Sequence, residues 1–218
     1  MRMRRKPNLT SRTERCAHLL VENPKELRGH WLAEHNAQSD ISANELHVEL
    51  GCGKGQFTVE TAKNEPGALL IALEKISNVL VIALERTEQA ELQNVRYLNK
   101  LADYLDTYFA DNEVDRIYIN FCDPWPANRH KKRRLTGEIF LNLYKKVLRP
   151  GGEIHFKTDN LPLFEFSLIE FERCGFAVSQ VTRNLHEYGS VGVMTDYEKK
   201  FHDQGVPINR CVAGTEHK

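Results

Sequence analysis

From Leu46 onward, short apolar runs alternate with segments whose apolar residues recur at helical spacing, and this alternation limits the fold more than any other feature. Runs of about four to eight apolar residues suit strands buried on both faces, and helix-length segments between them suit crossovers. Strands are expected at 46–50, 69–74, 95–98, 116–121 and 153–157, and helices at 56–63, 77–90, 102–109 and 136–148. Right-handed crossovers then place helices on both faces of a mostly parallel sheet, which makes a doubly wound α/β fold. An amphipathic helix at 163–174 follows, and two late strands, 177–184 and 207–213, suit an antiparallel hairpin at one sheet edge. Residues 1–40 are polar with short apolar stretches near Leu19 and Trp31, and read as an arm with helical pieces. The boundary expected is an arm over 1–40 and one domain over 41–218.

Composition excludes several classes. No run approaches the ~20 apolar residues that cross a bilayer, and no apolar segment backs the N-terminal charges, so a soluble, cytoplasmic protein without membrane contact is expected. The five cysteines (Cys16, Cys52, Cys122, Cys174, Cys211) are widely spaced and form no C-x-x-C pair. Reduced thiols follow, with neither a disulfide framework nor a thiolate zinc site. The nine histidines show no ligand spacing, so no metal is expected. Thirty basic residues balance thirty acidic ones, and only their distribution is informative. Arg2, Arg4, Arg5 and Lys6 crowd the N-terminus, and Arg129, His130, Lys131, Lys132, Arg133 and Arg134 form a second block.

The first strand runs into Glu49-Leu-Gly51-Cys-Gly53-Lys-Gly55 and then into a helix. Glycines there let backbone amides approach a ligand. The spacing is G-x-G-x-G, not G-x-G-x-x-G, and Glu49 precedes the first glycine by two positions. A carboxylate at that place repels a pyrophosphate and attracts an ammonium or sulfonium, which favours S-adenosylmethionine over a dinucleotide. Glu74 closes the second strand 25 residues later, where its paired oxygens suit the two ribose hydroxyls of an adenosine.

The fourth strand ends at Asp123-Pro-Trp-Pro126. In doubly wound sheets ligands collect at the carboxyl ends of strands near the switch point, so Asp123 is expected in the same crevice as Gly51 and Glu74. The flanking prolines restrict Trp125 and lower the entropy lost in presenting its ring to a base. The basic block at 129–134 follows at once, where phosphates beside a target base need neutralising. Alone, such a block also suits a solvated surface.

The order Glu-Leu-Gly-Cys-Gly-Lys-Gly, Asp-Pro-Trp-Pro with Arg-His-Lys-Lys-Arg-Arg, Ile154-His-Phe-Lys-Thr-Asp159-Asn and Met194-Thr-Asp-Tyr-Glu198 resembles the bacterial tRNA (guanine-N7-)-methyltransferase family, TrmB. The resemblance covers 49–198. It implies a class I, Rossmann-like methyltransferase sheet, S-adenosylmethionine as cofactor, and tRNA as partner, methylated on N7 of a variable-loop guanine at conventional position 46. Carried onto matching positions, it implies that Glu49, Gly51, Gly53, Glu74 and Asp123 meet the cofactor, with Asp123 the active-site residue between cofactor and base. Asp159, Thr195, Asp196, Tyr197 and Glu198 would hold the substrate nucleoside, and Arg129, His130, Lys131, Lys132, Arg133 and Arg134 the RNA.

Two positions depart from the family pattern. Ala127 stands where a substrate-contacting lysine is expected, and Leu101 where an acid is expected after the third strand. Asn99, the nearest polar residue, is the candidate for the adenine edge, with backbone groups near Leu101 the alternative. An exocyclic-amine methyltransferase, which carries a motif such as N-P-P-Y at this strand end, is a competing reading, as is a non-catalytic RNA-binding relative. A small-molecule methyltransferase is disfavoured by the basic block. Oligomeric state is left open.

Overall fold

The computed structural model describes residues 8–215, so the cluster Arg2, Arg4, Arg5 and Lys6 lies outside the described residues. Seven strands form one sheet: β1 (Glu45–Leu50), β2 (Ala68–Leu73), β3 (Val95–Leu98), β4 (Val114–Asn120), β5 (Leu148–Thr158), β6 (Ala177–Thr182) and β7 (Asn209–Gly214). Their spatial order is β3-β2-β1-β4-β5-β7-β6, and β1 to β5 pair in parallel. The order reverses between β1 and β4, which opens the crevice expected of a doubly wound sheet. β7 runs antiparallel to both β5 and β6, making the late hairpin at that edge.

The helices are α1 (Leu9–Arg15), α2 (Trp31–Gln38), α3 (Gln56–Asn64), α4 (Ser77–Gln89), α5 (Leu105–Tyr108), α6 (Glu138–Val147), α7 (Leu161–Arg173) and α8 (Asp196–Asp203). Strand side chains alternate between faces, so Leu46, Val48 and Leu50 of β1 join Phe140, Leu141 and Tyr144 of α6 and Phe164 of α7 in one core. His47 and Glu49 point the other way, toward the layer of α3 and α4, where Ala62, Leu80, Ala83 and Leu84 pack on Leu70 and Ala72. α6 shows why these segments are helical: Phe140, Leu141, Tyr144 and Val147 fall on one face and are all buried. Each such side chain contributes ~1.5–3 kcal/mol by leaving water.

The arm segment packs on the sheet. Trp31 is 1% exposed, its Nε1 donates to the Tyr108 carbonyl at 2.9 Å, and its ring lies 5.6 Å from Phe109. Leu20 bridges to Tyr97 in parallel and the Val21 amide donates to the Tyr97 carbonyl at 2.9 Å, so this stretch covers the open edge of β3.

Three elements differ from the sequence expectation. The helix expected at 102–109 is a 3-10 turn, Ala102–Tyr104, followed by the single turn of α5, because only Leu105, Tyr108 and Phe109 are buried there. β5 begins at Leu148 and runs through the polar Arg149-Pro-Gly-Gly stretch that hid it. The segment between the last two strands is no plain loop: it holds α8, whose Thr195-x-x-Glu198 start is a capping-box signature readable in the sequence.

Candidate active site

The parallel registers align Leu98, Leu73, Leu50, Ile119 and Phe156 across the sheet. One residue further along each chain are Asn99, Glu74, Gly51, Asn120 and Lys157, which form the floor of the crevice. Gly51 (φ +79°) and Gly53 (φ +58°) occupy the left-handed region, and a Cβ built on either meets nothing within 4 Å. The loop therefore offers its backbone to open space. Gly55 (φ +77°) serves packing instead. A Cβ there would lie 2.7 Å from the Ala83 Cβ and 2.9 Å from its Cα, so this glycine lets α3 pack on α4.

Glu49 is 2% exposed and accepts a 2.5 Å hydrogen bond from the Thr58 hydroxyl. Burial pushes its pKa up to about 7 against the opposing pull of Thr58 and Asn120, with Glu74 raising it further. A buried carboxylate that is costly to ionise alone is suited to a cationic ligand. Asn120 lies beside it, and its buried amide nitrogen makes no well-formed hydrogen bond. Open glycines and a buried acid that forms no ion pair among the described residues together fit the amino-acid end of S-adenosylmethionine.

Glu74 accepts from the Gly53 amide at 3.2 Å and the Ile76 amide at 2.8 Å, and burial raises its pKa. Each oxygen retains acceptor capacity for a ribose hydroxyl. Asn99 is less free than expected. Its amide donates to the Glu74 carbonyl at 2.7 Å, and its oxygen accepts from the Ser77 hydroxyl at 2.7 Å.

Asp123 is exposed, three residues beyond β4. The loop bearing it is strained, since Phe121 (φ 51°) and Trp125 (φ 42°) are non-glycine residues in the left-handed region. Arg134 offsets that strain. It is 8% exposed, and its guanidinium donates to the carbonyls of Pro124 at 3.1 Å and Trp125 at 3.1 and 3.3 Å while stacking 4.3 Å over Phe166. Arg134 was expected on the RNA side with its neighbours; the structure turns it inward because the loop's buried carbonyls need a donor.

The rest of the basic block faces solvent. Residues 128–133 form a 3-10 turn in which Arg129, Lys131, Lys132 and Arg133 are exposed and make no ion pair among the described residues. Arg133 lies 4.9 Å over the Trp125 ring and His130 meets that ring edge-on at 5.6 Å.

At the far side of the crevice, Asp159 lies just beyond β5 and is partly exposed. The 195–198 segment differs most from expectation. Glu198 is fully buried, and its carboxylate accepts from Lys157 Nζ at 3.0 and 3.2 Å, His186 Nε2 at 2.9 Å and the Thr195 amide at 3.2 Å. Burial lowers the Lys157 pKa, and Glu198 opposes that shift. Glu198 was expected to hold the nucleoside; the structure gives its oxygens to partners within the chain. The Thr195 hydroxyl accepts from the Glu198 amide at 2.9 Å, and Asp196 pairs with Arg86 at 2.8 Å. Tyr197 is 62% exposed, and Asp196, though paired with Arg86, is exposed as well.

A family model described as a putative methyltransferase matches residues 43–211. The tRNA (guanine-N(7)-)-methyltransferase of Geobacillus sp. (strain WCH70) is 44% identical over 214 residues, covering 97% of this chain and 94% of that protein. The chain belongs to the tRNA (guanine-N7-)-methyltransferase family. The fold of this methyltransferase is also that of the 16S rRNA methyltransferase KamB (TM-score 0.64, 14% identity, covering 84% of this chain and 92% of that one). A SAM-dependent methyltransferase from Aquifex aeolicus aligns at TM-score 0.55 and 16% identity over 96% of this chain and 99% of that one. Both share the class I, Rossmann-like sheet.

No helix among the described residues is long and apolar enough to cross a membrane, and no group of three or more His, Cys, Asp or Glu is placed to hold a metal ion. The five cysteines are free thiols, three of them buried.

Proposed function

We propose that this chain transfers the methyl group of S-adenosylmethionine to N7 of a guanine in the variable loop of tRNA, at conventional position 46. What supports the reading is one arrangement in a member of this family: an open glycine loop over buried Glu49 follows β1, and Asp123 follows the neighbouring strand β4, with exposed Arg129, Lys131, Lys132 and Arg133 just beyond it. Glu49, Gly51, Gly53 and Glu74 hold the cofactor, with Asp123 between it and the base. Because Asn99 is already bonded at both ends, the backbone near exposed Leu101 is favoured for the adenine edge.

S-adenosylmethionine supplies a methyl group on a sulfonium, which the in-plane lone pair of guanine N7 accepts. No proton leaves the attacking nitrogen, so the protein needs alignment and charge stabilisation more than a base. Asp159 is suited to accept hydrogen bonds from the N1–H and N2–H groups of guanine, and the Asp123 carboxylate to stabilise the purine cation as it forms. Tyr197 offers a ring for stacking. Unmodified tRNA incubated with labelled cofactor and digested to nucleosides should yield 7-methylguanosine; label in N6-methyladenosine or in no nucleoside would overturn the reading.

The reading divides the chain into an arm over 1–40, whose Leu20 and Val21 cover β3, and a catalytic domain over 41–218, working in the cytoplasm where tRNA is. Arg129, Lys131, Lys132 and Arg133 meet phosphate, with His130 beside them. Replacing these four by Gln should weaken tRNA binding and reduce the slope of log K against log salt by about 3, at ~0.7–0.9 per lost contact. Titration of fluorescent tRNA at several salt concentrations measures this. Cofactor affinity should stay within about twofold, and an unchanged slope would show the block to be ordinary surface.

A further inference from the structure

Three side chains tie α8 to three parts of the crevice. Glu198 holds it to β5 through Lys157, and Phe201 stacks on Phe121 at 6.1 Å just before the Asp123 loop. Asp196 holds it to Arg86 of α4. The Arg86 link differs from the other two because its second partner is the glycine loop. Nη1 donates to the Lys54 carbonyl at 3.1 Å and to Asp196 Oδ2 at 2.8 Å, while Nη2 donates to Asp196 Oδ1 at 3.4 Å. Lys54 lies between Gly53 and Gly55, in a loop with little side-chain packing of its own at Gly51 and Gly53. The Leu73 carbonyl holds its first half, accepting from the Gly51 and Cys52 amides at 2.9 and 3.0 Å, Glu74 holds the Gly53 amide, and Arg86 holds the Lys54 carbonyl.

We propose that Arg86 is a positioning residue for methyl transfer, one planar group that holds the cofactor loop and the substrate-side helix in a single mutual arrangement. The proposal rests on the reading of this chain as a tRNA methyltransferase. Side-chain exposures of 32% for Arg86 and 41% for Asp196 put the pair in solvent-screened surroundings, where an ion pair adds little stability. Its contribution is geometric, since a fork restrains both partners at once in a way a lysine cannot. If the loop and α8 share one arrangement, binding on the cofactor side and on the tRNA side must reinforce each other equally.

The test uses the full chain and the variants Arg86→Met, Arg86→Lys, Asp196→Asn and Arg86→Met/Asp196→Asn. It measures kcat, the KM for tRNA, melting temperature, and S-adenosylhomocysteine affinity by calorimetry with and without tRNA. In the parent, tRNA should tighten S-adenosylhomocysteine binding about fivefold or more. Arg86→Met should lower kcat about tenfold and shrink that tightening below about twofold, with Asp196→Asn acting in the same direction. Arg86→Lys should match the parent in melting temperature without recovering kcat. The double variant should be no worse than the poorer single one, as expected of groups acting through one contact. Should Arg86→Met fail to fold, Asp196→Asn carries the same comparison. Parent-like kcat and tightening in the single variants, or effects that multiply in the double variant, would overturn the proposal. A parent that makes no 7-methylguanosine overturns the functional reading and this proposal with it, whereas an active parent with parent-like variants overturns the proposal alone.

Discussion

Asp123→Asn should lower kcat about 10²- to 10³-fold, the range seen when a group placed for transition-state charge is lost. The substitution keeps the shape and one acceptor oxygen but removes the negative charge that offsets the growing positive charge on the purine. The surrounding loop should persist, because its conformation is held by Arg134 on the Pro124 and Trp125 carbonyls and by the Phe121 amide, which donates to the Lys157 carbonyl at 2.9 Å. Melting temperature should therefore move little. The KM for tRNA should change by less than about threefold, since the phosphate contacts proposed for 129–133 lie elsewhere. Single-turnover methylation at saturating cofactor measures the effect, and a rate within threefold of the parent would remove Asp123 from the active-site role.

Glu49→Gln should weaken cofactor binding about 10- to 100-fold, because a neutral amide replaces the carboxylate proposed to meet the ammonium. The parent should also bind more tightly as pH rises, since Glu49 ionises near 7 and only the ionised form suits a cation. Calorimetry from pH 6 to 8 should show that rise in the parent and its absence in Glu49→Gln. Stability of the cofactor-free protein should move in the opposite direction. The folded pKa is raised above the ordinary 4.5, so the folded chain keeps a proton that the unfolded chain releases between about 4.5 and about 7. Folding stability from this group is present below that window and is lost as pH rises through it. At pH 8, Glu49→Gln should be more stable than the parent without cofactor, on the order of a few kcal/mol at most. Equal pH profiles of melting for the two proteins would contradict the burial argument.

These two acids were legible because each stands at the end of an apolar run. Strand ends point into the crevice of a doubly wound sheet, and the registers place Glu74, Gly51 and Asn120 in one row as the strand candidates implied. α8 is marked in the sequence by its cap, Thr195 and Glu198, and by little else. Its apolar face is only Tyr197 and Phe201, four apart, too short a stripe to outweigh the polar residues around it.

The residues whose placement differed from expectation share one property: each is polar and takes its partner within the protein. Glu198 meets Lys157 across 41 positions, and Asp196 meets Arg86 across 110. Arg134 looked like its exposed neighbours until the loop folded back and set two carbonyls before it. Sequence by itself determined the strands, the crossovers, the crevice and the charge expected of its ligand, since hydrophobic periodicity and strand-end position are local properties of the chain. Tertiary structure alone decided which charged side chains face solvent and which are spent within the protein. A buried polar group takes whichever partner the topology brings within hydrogen-bonding reach, and no local pattern records that distance.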